Sequence, residues 1–361
     1  MLPSLPIASG QGEYRVDFFD AIPELLAELE AEKGAMIICD GRIADLYRER
    51  LQRLFSVHPV HLVAATEDEK TFEGAKRFLD FLQINNAVKQ TLVIAIGGGI
   101  IQDIATIATL LYFRGLRWVF VPTTLLAMCD SSIGAKSGIN LNGFKNQLGA
   151  FNAPRRILIA MRFLDTLAEA DICSGYGEIL KLLLTGSREQ YERLEQAVDT
   201  GGWRNPHLEG LIYESLLVKK GVIEVDEYER DLRRILNYGH TFGHALESLT
   251  DHGLPHGTAV AWGIDLVNWI AMRRGLLSAG DYARIHAFIA RHWTCRVAKP
   301  FDADGLIQGT RRDKKVHDGK LTLIILERPG SLRVVPVAFD SELRQQVGDY
   351  LLSDSVVRSA T

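Results

Sequence analysis

The 361-residue chain has only four cysteines, Cys39, Cys129, Cys173 and Cys295, and no two of them stand in CxxC spacing. That excludes a disulfide framework and a cysteine-built zinc site as organising features, and the pattern reads as buried thiols in a reducing compartment. Neither charge dominates: 41 lysines and arginines stand against 45 acids, a formal net charge of −4. Nothing in that balance supports nucleic acid or an anionic membrane as a partner. Long uninterrupted apolar runs are missing too. The most apolar stretch, 91–113, is broken by three glycines, Gln102 and Asp103, so it does not read as a membrane span. The first twenty residues lack the basic start and apolar core of a signal peptide. The expectation is a soluble, cytoplasmic protein.

What is there is globular: 47% hydrophobic and 24% charged residues. The short apolar runs 35–40, 61–66, 91–96, 118–124 and 155–161 are separated by helical patterns such as 69–84 and 101–113. Nearly continuous apolar strands with helical crossovers indicate a parallel sheet covered on both faces. After about residue 168 the strand signals fade, and helical patterns follow at 177–199, 207–224, 232–249, 256–275 and 279–292. Residues 320–338 read as two strands around a Pro-Gly turn. The expected architecture is an N-terminal α/β nucleotide-binding domain with a parallel sheet over 1–167. A mostly α-helical metal- and substrate-binding domain follows over 168–361, with a cleft between the two.

Three stretches carry polar groups suited to chemistry. "LVIAIGGGIIQDIATIATLL" sets Gly97, Gly98 and Gly99 between a strand and a helix, where exposed N–H groups suit a phosphate. It is neither the GxGxxG fingerprint nor a P-loop. Asp103 falls in the first turns of that helix, where a carboxylate is electrostatically favoured. "VPTTLLAMCDSSIGAKSGINLNGFKNQLGAF" (121–151) places Asp130, Lys136, Lys145 and Asn146 among small residues on expected loops. In "LRRILNYGHTFGHALE" (232–247), Arg233, Asn237, His240 and His244 share a stripe within roughly 60° if the segment is one helix. Two spaced histidines on a helix are often only a solvated face. Here the flanks are apolar, and Gly239 and Gly243 each cost the helix about 1 kcal/mol relative to Ala. Glycines tolerated there indicate a close approach, and the stripe reads as the wall of a polar pocket. Glu178, His240, His244 and His256 are the candidate metal ligands, a set from which two histidines and a carboxylate would leave a position open for substrate oxygen. Spacing alone does not choose among them.

Taken together, "GGGIIQD", "YFRG", "VPTTLLAMCDSSIGAKSGIN", "KN", "GEILK", "LNYGHTFGHALE", "HG" and "RDKK" resemble the 3-dehydroquinate synthase family of the sugar phosphate cyclases. The likeness runs in order, with near-constant spacing, from about residue 36 to 325. It implies a zinc ion, or cobalt in its place, held by Glu178, His240 and His256, with His244 outside the ligand set and facing the substrate phosphate. It implies NAD across the glycine run at Gly98, Gly99 and Asp103, with Thr123, Thr124, Lys136 and Lys145 close by. Asp40, Glu67 and Lys70 correspond to contacts on the adenosine side, and Phe163 and Thr166 also belong to the cofactor set. Substrate groups correspond to Asp130, Lys136, Asn146, Lys181, Lys219, Arg233, Asn237 and His244. One of Lys314 and Lys315 is expected on phosphate, and Arg114 is expected to reach in from the partner subunit of a homodimer.

The implied activity is a phosphate-eliminating carbon–oxygen lyase of the shikimate pathway, acting on a phosphorylated sugar acid. Gathering Arg114, Lys136, Lys145, Lys181, Lys219 and Arg233 around one cleft suits a substrate with both carboxylate and phosphate. A metal-dependent polyol dehydrogenase is the alternative with a similar glycine turn, but a neutral alcohol gives no reason for so many cations. A fold-retaining paralogue without activity would have lost site residues, and none is missing. Within the superfamily, sedoheptulose-type cyclases usually lack the histidine at 244, and the inosose-forming type usually has an acid where Asn237 stands. Arg233 favours a sugar acid, and an amino analogue of it serving secondary metabolism stays open. The sequence departs from the family pattern at Gln102, in "GAKSG", at Tyr176-Gly177 and in "NLNGFKN".

Overall fold

The computed structural model describes residues 2–142, 144–250, 253–294, 296–297, 301–311, 316–317, 320–353 and 358–359. They form two compact units, Met1–Ala168 and Glu169–Thr361.

The first unit opens with β1 (Leu5–Ile7), β2 (Tyr14–Phe19) and α1 (Ile22–Glu30). It continues through β3 (Met36–Asp40), α2 (Gly41–Leu46), α3 (Arg48–Val57), β4 (Val60–Val63) and α4 (Phe72–Ile84). Next come β5 (Leu92–Gly97), α5 (Gly99–Leu111), β6 (Arg117–Pro122), β7 (Lys136–Leu141), β8 (Phe144–Phe151) and β9 (Arg156–Ala160). Seven strands make one sheet in the order β1-β2-β9-β6-β5-β3-β4, parallel apart from the β1–β2 pair. β5 is buried at every position, as expected of a strand covered on both faces. Asp40 caps α2 and Thr71 caps α4 through their side chains, whereas α5 starts at Gly98 with no side-chain cap. From β3 the chain moves outward to β4 and then returns to the other side of β3 as β5. The carboxyl ends of β3 and β5 therefore flank a topological switch point, where open α/β sheets bind their ligands.

The sequence reading missed β1, β2 and the antiparallel β7–β8 hairpin, which occupies a stretch expected to be loop. β7 is glycine- and lysine-containing, yet it alternates: Ser137 and Ile139 turn inward while Lys136 is exposed. It docks on α5 through the Gly138 N–H, which donates to Asp103 Oδ1 at 3.1 Å.

The second unit runs α6 (Glu169–Gly186), α7 (Arg188–Gly201), α8 (Leu208–Ile223), α9 (His240–Leu249), α10 (His256–Arg273) and α11 (Ala279–His292). It ends with β10 (Arg296–Val297), α12 (Ala303–Arg311), β11 (Val316–His317), β12 (Lys320–Arg328), β13 (Ser331–Ala338), α13 (Ser341–Leu352) and β14 (Arg358–Ser359). β12 and β13 pair antiparallel around the Pro329-Gly330 turn, with Gly330 at φ +87. The expected helix 177–199 is two helices, because Ser187 caps a new start at α7. α10 is buried along most of its length, with Trp262 fully enclosed and donating to the Trp293 carbonyl at 3.0 Å. An all-round apolar helix of this kind is a core helix, and α6, α9, α11 and α13 pack against it.

The 232–249 segment is not one helix. Leu232–Asn237 is a 3-10 turn, Tyr238 leaves helical geometry, and Gly239, at φ +78, is the left-handed N-cap of α9. The stripe argument at 100° per residue therefore holds within α9 and fails across residue 238. The close approach signalled by the glycines is also real but is made by α10: a Cβ on Gly239 would lie 2.7 Å from the Val260 carbonyl oxygen, and one on Gly243 would lie 3.0 Å from that of Ala259.

Candidate active site

In the second unit, Glu178 comes from α6, His240 and His244 stand one turn apart on α9, and His256 is the first residue of α10. Glycines fix how closely these helices meet. A Cβ on Gly177 would lie 1.9 Å from the Gly257 carbonyl oxygen, and one on Gly257 would lie 1.7 Å from that of Ser174. The Gly257 N–H donates to Ser174 Oγ at 2.9 Å. Since Gly177 precedes Glu178 and Gly257 follows His256, the backbone crossing delivers the carboxylate to the imidazole. Glu178 Oε1 lies 3.1 Å from His256 Nε2 and 3.7 Å from His240 Nε2.

The Nδ1 atoms face away from this point. His240 Nδ1 is 3.2 Å from the Tyr238 carbonyl oxygen, and His256 Nδ1 is 3.1 Å from Glu247 Oε2. Burial pushes the His256 pKa down, but the hydrogen bonds to Glu178 and Glu247 more than reverse this and hold it at about 10. The donor set fits a divalent ion: tetrahedral zinc with bonds of ~2.0–2.1 Å needs donors about 3.3–3.4 Å apart, and the two measured separations bracket that value. The donor atoms of His240, His244 and His256 also lie within 4.8 Å of one another, so His244 shares the cluster. The sequence reading did not single out Glu247. Its signal was available as the i+3 neighbour of His244 on the same helix face.

Three further cations of this unit are buried. Lys181, one turn after Glu178 on α6, places Nζ 2.5 Å from Glu178 Oε2. Lys219 of α8 is 7% exposed and Arg233 is 4% exposed. Charges so enclosed need partners of opposite sign. Arg233 donates from its guanidinium to the Glu227 carbonyl, and Asn237 Nδ2 donates to Glu229 Oε1 at 2.6 Å. Asp226 holds the loop under them by accepting the N–H groups of Arg230, Asp231 and Arg233.

In the first unit, the β5–α5 turn sits at the switch point. A Cβ on Gly97 would lie 3.3 Å from Cβ of Asp40 at the end of β3, and one on Gly98 would lie 3.0 Å from Thr124 Cγ2. At Gly99 an added Cβ would meet nothing within 4 Å. The Thr123 hydroxyl is buried and has no hydrogen-bond partner among the described residues. An uncapped helix start, open space above it and an unsatisfied hydroxyl suit a dinucleotide pyrophosphate. β7 gathers the expected adenosine-side residues: Lys70 Nζ lies 2.8 Å from Asp103 Oδ2, and Asn140 Nδ2 donates to Glu67 Oε1 at 2.8 Å. Burial pushes the Asp103 carboxyl up, while the Lys70 ammonium pulls it back.

Asp130 is buried in a π-helical turn, Ala127–Ser131, rather than a loop. Gln102, the residue that departs from the family pattern, ties that turn down: its Nε2 donates to the Ser131 carbonyl, and Ser131 Oγ donates to its Oε1, both at 2.7 Å. Lys136 lies on β7, and Lys145 and Asn146 on β8. Arg114 is on the turn Tyr112–Arg114, where it and Phe113 both have positive φ. Phe163 is buried against Tyr47, whose hydroxyl lies 3.0 Å from Thr166 Oγ1. Lys314 and Lys315 lie outside the described residues, as does Cys295.

A switch-point sheet with a glycine turn, joined in one chain to a helical unit bearing a carboxylate–histidine cluster, is the architecture of the sugar phosphate cyclases. The fold matches 2-epi-5-epi-valiolone synthase from Streptomyces hygroscopicus subsp. jinggangensis, solved with NAD+ and Zn2+, at a TM-score of 0.84 and 26% identity over 96% of this chain and 98% of that one. It also matches a 2-deoxy-scyllo-inosose synthase complexed with carbaglucose-6-phosphate, NAD+ and Co2+, at a TM-score of 0.86 and 24% identity over 96% of this chain and 100% of that one. Family models described as 3-dehydroquinate synthase N-terminal and C-terminal match residues 60–174 and 175–316. The 3-dehydroquinate synthase of Streptococcus equi subsp. equi is 32% identical over 351 residues, 95% of this chain and 97% of that one. This chain belongs to the 3-dehydroquinate synthase family, and the polyol dehydrogenase alternative is not favoured. Among the described residues, no helix is long and apolar enough to cross a membrane.

Proposed function

We propose that the protein converts 3-deoxy-arabino-heptulosonate 7-phosphate into 3-dehydroquinate and inorganic phosphate, using NAD and one divalent ion, zinc or cobalt. The reading places it in the cytoplasm, in the shikimate pathway, as a homodimer whose Arg114 crosses to the partner's site. The observation that carries it is the convergence of Glu178 Oε1 on the Nε2 atoms of His240 and His256, at 3.7 and 3.1 Å, in a unit that also buries Lys181, Lys219 and Arg233.

The proposed sequence is oxidation of a substrate carbinol to a ketone, loss of the acidified proton from the neighbouring carbon with β-elimination of phosphate from the carbon beyond it, re-reduction of the ketone, ring opening and intramolecular aldol closure. When bound, NAD supplies a reversible hydride acceptor and the ion polarises the carbinol oxygen. Glu178, His240 and His256 hold the ion, and Lys181 holds Glu178 in place through its ion pair. Gly98, Gly99, Thr123 and Thr124 frame the pyrophosphate at the start of α5, while Asp40, Glu67, Lys70 and Asp103 position the nucleoside end. Phe163 and Thr166 complete the cofactor pocket. Arg233 grips the substrate carboxylate with its guanidinium fork. Lys219, Asn237, His244, one of Lys314 and Lys315, and Arg114 of the second subunit act on the phosphate end, and Asp130, Lys136, Lys145 and Asn146 orient the ring. Such positioning is the protein's main contribution.

The test is phosphate release from the purified protein given NAD, a divalent ion and the seven-carbon sugar-acid phosphate, with its amino analogue and sedoheptulose 7-phosphate run in parallel. Turnover is expected with the sugar-acid phosphate and not with sedoheptulose 7-phosphate. Preference for the amino analogue or for sedoheptulose 7-phosphate would overturn the substrate assignment.

A further inference from the structure

We propose that Glu247 is a positioning residue for the metal centre: it fixes the ring orientation and tautomer of His256 so that Nε2 faces the ion. The inference rests on the reading that Glu178, His240 and His256 hold that ion, and adds a residue which that reading does not use.

The two nitrogens of an imidazole are not equivalent, and the partner of one decides what the other presents. His240 has its Nδ1 at 3.2 Å from a main-chain carbonyl, Tyr238 O, within its own turn. His256 stands at the first position of α10, and its Nδ1 lies 3.1 Å from Glu247 Oε2 on a different helix. With Nδ1–H given to a carboxylate acceptor, Nε2 is the nitrogen whose proton an ion would displace to gain a lone pair, and it faces Glu178 Oε1, 3.1 Å away. Glu247 is 8% exposed, and a carboxylate so enclosed is retained only with a strong hydrogen-bond partner. Its place on α9 puts it on the face that carries His240 and His244, within about 60° of both. One helix therefore presents a ligand and, from the same face, the group that aims a ligand on its neighbour. A carboxylate behind a metal-bound histidine also raises the basicity of that ligand.

The test uses the full chain and its Glu247→Ala and Glu247→Gln variants. Zn2+ affinity is measured by competition with a chromophoric chelator, coordination geometry by the visible spectrum of the Co2+ form, and folding by thermal melting of the metal-free proteins. The alanine variant is expected to bind Zn2+ roughly 10- to 100-fold more weakly than the parent, with an altered Co2+ spectrum. The glutamine variant, whose carbonyl still accepts Nδ1–H without the charge, is expected to fall between them. Zn2+ affinity within about twofold of the parent and an unchanged Co2+ spectrum, in whichever variant folds, would overturn the proposal even if the melting temperature drops, since that pattern means Glu247 only ties α9 to α10. A parent chain that takes up no ion would overturn the ligand reading, and this proposal with it.

Discussion

In the proposed function, Arg233 is the residue on which the choice of a sugar acid turns. It is buried, and one guanidinium nitrogen donates to the Glu227 carbonyl, which holds the side chain in place. A charge-assisted bond in such surroundings is worth about 1.5–3 kcal/mol, so Arg233→Met should lower kcat/KM by roughly 10- to 100-fold. Measured with an analogue lacking the carboxylate, the penalty should largely vanish, because the partner of the missing cation is gone as well. An equal penalty on both substrates would mean that Arg233 only supports the 226–231 loop. Glu178, His240, His244 and His256 stand out in the sequence as a candidate donor set, but only the family resemblance narrows them to Glu178, His240 and His256. Glu247 does not stand out, because a glutamate at the end of a helical "HALE" looks like any solvated acid until its oxygen is found on His256 Nδ1.

Elements were legible where one periodicity dominated. The five parallel strands that the apolar runs marked appear as β3, β4, β5, β6 and β9, within a few residues of the expected bounds. The misreadings have physical causes. Apolar spacing continues through 232–249 and predicts one helix, whereas Gly239 adopts a left-handed conformation that allows α10 to pack beside it. The β7 stretch reads as loop because its inward positions include Ser137 as well as Ile139, so alternation carries little hydrophobic contrast. The same close packing makes a sharp prediction. In Gly257→Ala the new methyl would fall 1.7 Å from the Ser174 carbonyl oxygen, so α6 and α10 must separate. Overpacking of this kind costs about 1–3 kcal/mol or more, and the shift also moves His256 from Glu178. The variant should melt lower and lose its ion, as read by calorimetry and metal analysis. Gly210→Ala, at an exposed position of α8 where an added Cβ meets nothing within 4 Å, should instead raise stability by roughly 0.5–1 kcal/mol. Equal behaviour of the two variants would refute the crossing argument.

At the scale of the whole molecule, the chain assigns its two kinds of chemistry to separate units. The first unit carries the glycine turn at the switch point of a parallel sheet, and the second carries the carboxylate–histidine cluster and three buried cations. In the sequence, strand signals alternate with helical ones over the first unit and give way to mostly helical patterns over the second, apart from the strand pair at 320–338. The central claim is that NAD takes a hydride and gives it back within a single turnover, so that a redox group drives a reaction with no net redox change. The most direct measurement follows phosphate and NADH simultaneously through many turnovers, with substrate in large excess over NAD. The account predicts phosphate release far exceeding the NAD present, an absolute requirement for NAD, and no accumulation of NADH at steady state. NADH rising in step with substrate consumption, with little or no phosphate released, would contradict it and make the protein a dehydrogenase.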